Sequence, residues 1–229
     1  MQKTKSIINE TIRDEKIIKK LKILLLIILL IMAVIYFVLK VLYEGQAFTI
    51  TLDENLNRKS GLIMYENSQE KEEKKILKTG EIDFLDNITE SWIPSNIHEQ
   101  AEGVHNGNNY IAYTFYLENK GVEEINYWYT TIIDDVIKDV DEAVRVKIYL
   151  NGESTVYAKK SMRTGEAEEN TVEFFSDRYV ETEQRKGMKP GEKDKITLVI
   201  WIEGNDPECL DNLIGGEIKM HMEITEEHI

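Results

Sequence analysis

The chain has 229 residues, 42% hydrophobic and 31% charged, with a net charge of −14, which suits one globular domain plus a further element. Positions 1–45 hold eight Lys/Arg and four acids; taking these from chain totals of 28 and 42 leaves 20 and 38, so the remainder carries −18. A body that acidic is repelled by nucleic-acid phosphates and by anionic lipid, which argues against nucleic acid as a partner, and a single cysteine rules out an intramolecular disulfide.

Residues 1–20 form a basic tail, with Lys3, Lys5, Arg13, Lys16, Lys19 and Lys20. Ile7, Ile8, Ile12, Ile17 and Ile18 recur at roughly helical spacing. Two readings fit: a short helix along the inner membrane face, or a tail that only orients the chain. Residues 21–43 follow as a transmembrane helix. Ile23 to Leu39 contains no charged residue, and continuing to Tyr43 gives 21 residues, which at ~1.5 Å each matches the ~30 Å hydrocarbon core. Lys40 can reach the headgroups from one end, and Tyr36 and Tyr43 suit the interface. The positive flank places the amino terminus in the cytoplasm and the acidic body outside. A retained signal anchor is expected, because the apolar run is long and acids precede it. Cleavage before Phe48, after the small residues Gly45 and Ala47, is the alternative. A type IV pilin leader is excluded, since no Gly precedes the apolar run and no Glu lies within it.

Residues 44–47 are a linker, and 48–229 the outer domain. There the periodicity becomes alternating. AFTITLD (47–53) and GLIMYE (61–66) predict strands, and the charged stretch 67–75 a solvated loop. EIDFLDNI (81–88) predicts a strand and 91–109 a loop. NYIAYTFYLEN (109–119) and EEINYWYTTIIDD (123–135) are strong β runs. A helical turn is expected over 136–144. RVKIYL (145–150) and STVYAKK (154–160) flank an Asn-Gly hairpin signal. Strands follow at 170–177 and 178–184, then a Pro-Gly turn within 187–195. ITLVIWI (196–202) predicts a strand buried on both faces, and EIKMHMEIT (217–225) alternates cleanly. The absence of a βαβ rhythm predicts an all-β, antiparallel sandwich of jelly-roll or immunoglobulin-like type.

The segment Trp201 to Thr225 concentrates unusual residues. Asp206, Pro207 and Glu208 read as the start of a short helix, with Cys209, Leu210 and Leu213 as its apolar stripe and Gly215 or Gly216 as its stop. Cys209 is expected to be a small buried residue. The functional reading of the same stretch is a cation site, with Glu203, Asp206 and Asp211 its candidate ligands beside Glu208 and Glu217. Calcium is the ion that carboxylate oxygens would take, though no known loop spacing is present. The leading expectation is no cofactor. No catalytic set is read: His221 lies on a polar strand face away from Cys209, and His98-Glu99 lacks the second His a zinc peptidase needs four residues after the first.

NNYIAYTFYLENKG (108–121) and PGEKDKITLVIWIEGNDPECLDNLIGGEIKM (190–220) resemble the TasA/camelysin group of bacterial surface and biofilm-matrix proteins. Trp201 to Cys209 carries the most specific part of that resemblance, which extends over about 48–225. It implies a jelly-roll sandwich at the surface of a bacterial cell membrane, meeting other copies of itself or surface proteins through donated strands. Some camelysin-like proteins are described as metallopeptidases, but no residues here carry that site over. The expected function is therefore non-enzymatic: anchored display, adhesion or matrix contact. A metal-dependent surface peptidase or a cation-regulated surface protein is the alternative.

Overall fold

The computed structural model describes residues 2–43, 47–53, 61–80 and 85–228. The chain divides into two units, Met1–Gln46 and Ala47–Ile229. The first is one helix, α1 (Gln2–Tyr43). Its stretch Ile18–Val38 is long and apolar enough to cross a membrane, and no part of it is buried against protein. A core helix would hide a face; this one exposes apolar side chains all round. The expected linker falls mostly outside the described residues.

The second unit is built from strands: β1 (Thr49–Leu52), β2 (Leu62–Tyr65), β3 (Ile76–Lys78), β4 (Gly103–Val104), β5 (Ile111–Asn119), β6 (Ile125–Ile137), β7 (Val144–Leu150), β8 (Glu153–Ala158), β9 (Val172–Glu173), β10 (Tyr179–Met188), β11 (Lys193–Ile202) and β12 (Glu217–His228). One sheet has the order β10-β6-β12-β1-β3. The other runs β2-β5-β11-β7-β8-β9, with β4 also pairing β5. The all-β sandwich is as expected, but its sheets are mixed. β1 runs parallel to β12, and β8 parallel to β9.

The alternation in sequence decides which residues meet between the sheets. Ile50, Tyr127, Met222 and Ile224 from the first face Phe115, Leu117, Val146, Leu198 and Ile200 from the second. β11 is buried on its outer face too. Val199 and Trp201, with Ala112 and Tyr149, lie under Ile88, Ile93 and Ile97. A 3-10 turn, Glu90–Trp92, leads into the segment read as loop over 91–109, which itself contains a single-turn helix, α2 (Ile97–Gln100). His98 stacks on Tyr149 with ring centroids 4.5 Å apart. The hairpin between β7 and β8 turns on Asn151 and Gly152, both at positive φ (54° and 94°), as a two-residue turn demands.

One expectation of a strand needs correction, whereas the charged loop is found where expected. The strand 81–88 falls half outside the described residues. Of the rest, 85–87 is irregular and Ile88 makes only a bridge to Glu203. The charged loop 67–75 leads into β3, whose one inward residue is Leu77.

The turn after β5 packs against the chain entering β2. A Cβ added at Gly61 would lie 2.4 Å from Gly121 N and 2.5 Å from its Cα, whereas one at Gly121 would come no closer than 3.0 Å to any atom. The neighbour at Gly61 is backbone and cannot swing away. Gly61→Ala should cost ~1–3 kcal/mol of stability, as overpacking does, and Gly121→Ala less. Urea denaturation of the two variants side by side checks the order.

Candidate functional site

The connection from β11 to β12 does not form the expected helix at Asp206. A 3-10 turn forms later, over Asp211–Leu213. Asp206 still performs the local half of a cap: its Oδ1 accepts from Glu208 N at 2.8 Å. Its Oδ2 accepts from Arg145 Nη2 at 2.5 Å. Both side chains are sealed from water, at 5% exposure for Arg145 and 0% for Asp206. Two opposite charges without solvent need each other. This ion pair ties the connection to the start of β7.

Glu203 is likewise occupied. Its Oε2 accepts from Trp201 Nε1 at 3.0 Å and from Glu90 N at 3.1 Å, and its Oε1 from Asn205 N at 3.1 Å. Asp211 is exposed on the 3-10 turn. The three predicted cation ligands therefore do not converge. Asp206 instead meets Glu208 and Glu168, with one carboxylate oxygen of each within 4.8 Å of the others. Ser161 Oγ donates to Glu208 Oε1 at 3.2 Å. Glu168 Oε1 and Glu208 Oε2 are buried and make no hydrogen bond. Burial, then the hydrogen bond and charge of Asp206, hold the Glu208 carboxyl above its usual range. The trio is where a hard cation fits best among the described residues. Both Asp206 oxygens are already engaged, however, which leaves fewer donors than the six or more that calcium takes.

Cys209 is half-buried rather than buried, and its Sγ accepts from Asn87 Nδ2 at 3.3 Å. His221 Nδ1 lies 2.8 Å from Asp134 Oδ2, on another strand from any thiol. His105 Nδ1 is 2.9 Å from Gly103 O. No thiol–imidazole pair or paired-histidine site forms among the described residues.

The sheet edges are the second candidate. β2, β3, β4 and β9 have four residues or fewer, while β10 has ten. One long side of β10 pairs with β6. On the other side, Phe175 N and Ser176 N donate to Val180 O and Tyr179 O, and no described strand follows beside 182–187. Glu181 and Arg185 stand opposite Thr131 and Tyr127 of β6 and turn toward the space between the sheets, while Glu183, opposite Tyr129, is exposed. Arg185 Nε approaches Asp194 Oδ2 at 3.2 Å. Asp194 is fully buried and also accepts from Tyr127 Oη at 2.8 Å and Asn151 Nδ2 at 2.7 Å.

Glu181 is only 2% exposed. Thr131 Oγ1 donates to its Oε1 at 2.6 Å, and its Oε2 has no partner. Burial pushes its carboxyl up to about 8, so it is neutral at pH 7. Sequence reading marked neither Glu181 nor Arg145 and Glu168 as a site. A strand is expected over RYVETEQ, but nothing in its sequence shows which side chains are buried.

No protein-family profile matches the chain, and no curated protein matches it. Among solved structures, a β-glucosidase from Kluyveromyces marxianus in complex with glucose is similar over 70% of this chain and 15% of its own, with 15% identity and a TM-score of 0.25. So loose a likeness has no bearing on what this chain does.

Arg145→Met should destabilise the fold by ~3–5 kcal/mol, because it strands a buried carboxylate. Adding Asp206→Leu should recover part of that loss, read as the midpoint of urea unfolding. Glu181 sets a pH dependence. Its carboxyl titrates near 4.5 when unfolded and near 8 when folded, so the folded state holds the proton more tightly. Its contribution is full below pH 4.5, declines as pH rises, and is gone above about 8. Glu181→Gln should flatten that decline, seen as melting temperatures measured from pH 5 to pH 9.

Proposed function

We propose that this chain is a non-enzymatic, membrane-anchored surface protein whose sandwich makes protein–protein contacts along the free side of β10. α1 supplies the anchor through 21–43, with the basic tail inside the cell and the strand domain outside, in keeping with the positive-inside rule. The reading fits the resemblance to TasA/camelysin-like surface proteins of bacteria.

The observation that carries it is that no described strand lies beside 182–187 of β10, although Lys186 O accepts from Arg185 Nη1 and Gly187 N donates to Asn126 Oδ1. Unpaired N–H and C=O groups in a row accept a strand from a neighbour. The guard is chemical. Glu183 and Lys186 are exposed charges on β10, so a partner strand has to match them. The net charge of −18 beyond position 45 keeps unmatched copies apart. A cation-regulated or peptidase reading would rest on Glu168, Asp206 and Glu208, where Arg145 already neutralises Asp206.

Cysteine cross-linking tests the contact. With Cys209→Ala as background, Thr182→Cys or Gln184→Cys in the membrane-embedded full chain should give disulfide-linked dimers under mild oxidation, and Glu123→Cys should not. Equal cross-linking at all three positions, or none at 182 and 184 with chemically identified surface partners also absent, would overturn the proposal.

A further inference from the structure

The loops at one end of the sandwich carry most of its exposed apolar side chains. The strand directions show which end this is. β1 and β12 are parallel, with Thr49 beside His221, so both begin at the same end. β6 finishes there, Ile137 facing Glu217, and crosses by the turn Val140–Glu142 to the start of β7. β11 and β8 also end beside the start of β7. The connections 159–171, 174–178 and 203–216 therefore gather at this end. On or beside them lie Ile137, Met162, Val172, Phe175, Leu210 and Ile214, all exposed. Four of these stand out, at 72% for Met162, 73% for Phe175, 62% for Leu210 and 68% for Ile214. At the opposite end, where β5 turns into β6, the exposed large apolar residue is Val122.

Apolar side chains on separate loops do not fill a core, and grouped exposure of this kind marks a contact surface. The partner follows from connectivity. The polypeptide enters β1 at this end, with five residues, 44–48, between Tyr43 and Thr49. Fully extended, five residues reach at most ~18 Å. With α1 in a bilayer, as proposed above and as this inference requires, the apolar loop tips are held within reach of the headgroups and the outer acyl carbons.

We propose that this end of the sandwich docks on the lipid surface, with Phe175, Leu210 and Ile214 as its inserting side chains. The same loops carry acids, Asp177 and Asp211 beside the inserting residues. Contact is thus apolar, with zwitterionic headgroups preferred over anionic ones.

The test uses the full chain in phosphatidylcholine vesicles containing nitroxide-labelled lipid. With Cys209→Ala as background, a bimane fluorophore is placed at Asp211→Cys, at Asp177→Cys, or at Glu123→Cys on the far end. The inserting residues stay native. Labels at 211 and 177 should be quenched at least threefold more than at 123. Adding Leu210→Ser and Ile214→Ser should reduce quenching at 211 to the level at 123. Replacing half the lipid by phosphatidylglycerol should weaken quenching at 211 and 177. Equal quenching at all three positions, or quenching untouched by the serine variants with circular dichroism unchanged, overturns the inference. Failure of the anchor is seen separately: the chain would then not float with the vesicles at all.

Discussion

The parallel pairing of the first and last strands constrains everything else in the domain. β1 is four residues long, too short to hold its place by local structure. It lies between β12 and β3, with Ile50 beside Met222 on one side and Leu77 on the other. A parallel pair cannot be closed by a hairpin. The chain must therefore traverse the whole domain before β1 finds β12, and the pair staples its ends together. The same pairing brings the arriving polypeptide to the end where β11 turns into β12. Ile50, Met222 and Ile224 are fully buried, so the first strand after α1 is part of the core.

Buried charge sets register inside this fold. Asp194 draws together Arg185 of β10, Tyr127 of β6 and Asn151 of the β7–β8 turn. These lie in both sheets, so the carboxylate fixes how one sheet sits on the other. Asp206 with Arg145 does the same for the β11–β12 connection. Such pairs add less net stability than apolar residues of equal volume would. Their value is directional, because a misplaced loop leaves a charge without solvent or partner. This accounts for why a segment rich in Asp and Glu, facing a largely acidic surface, is ordered. Its carboxylates accept from nearby N–H groups, and few are left over for a ligand.

Much of the fold was legible because the responsible forces are local or periodic. Ile23–Leu39 is a run no soluble helix needs. Asn151-Gly152 names its own turn, and the unbroken apolar run of β11 implied two covered faces. β3 was missed because three residues with one inward Leu77 make no period. The mixed sheets were missed because strand direction depends on topology and not on alternation. At the candidate site the local part of Asp206 was readable: it does accept a backbone N–H two residues on. The remainder was not. Arg145 lies 61 positions from Asp206, and Glu168 enters from a loop with no pattern of its own. Cys209 was expected in the core, yet it faces Asn87, and Leu210 beside it points to water. A helix would have turned that stripe inward; the Asp206–Arg145 pair holds the backbone in a different path.

Glu181 shows why edge chemistry is hard to read from composition. In ETEQR its neighbours are all polar, and a solvated strand face is the economical reading. Tertiary context reverses this, since Thr131 and the core side of β6 cover it. A glutamate there holds its proton more tightly than in water, so it sits in the core without a counter-ion. A leucine at the same position would pack better and leave β10 a more uniformly apolar ribbon. The strand thus has no described strand beside 182–187, while Glu181 and Arg185 tie it to one native register against β6. Specificity at such an edge comes from what the strand refuses as much as from the hydrogen bonds it offers.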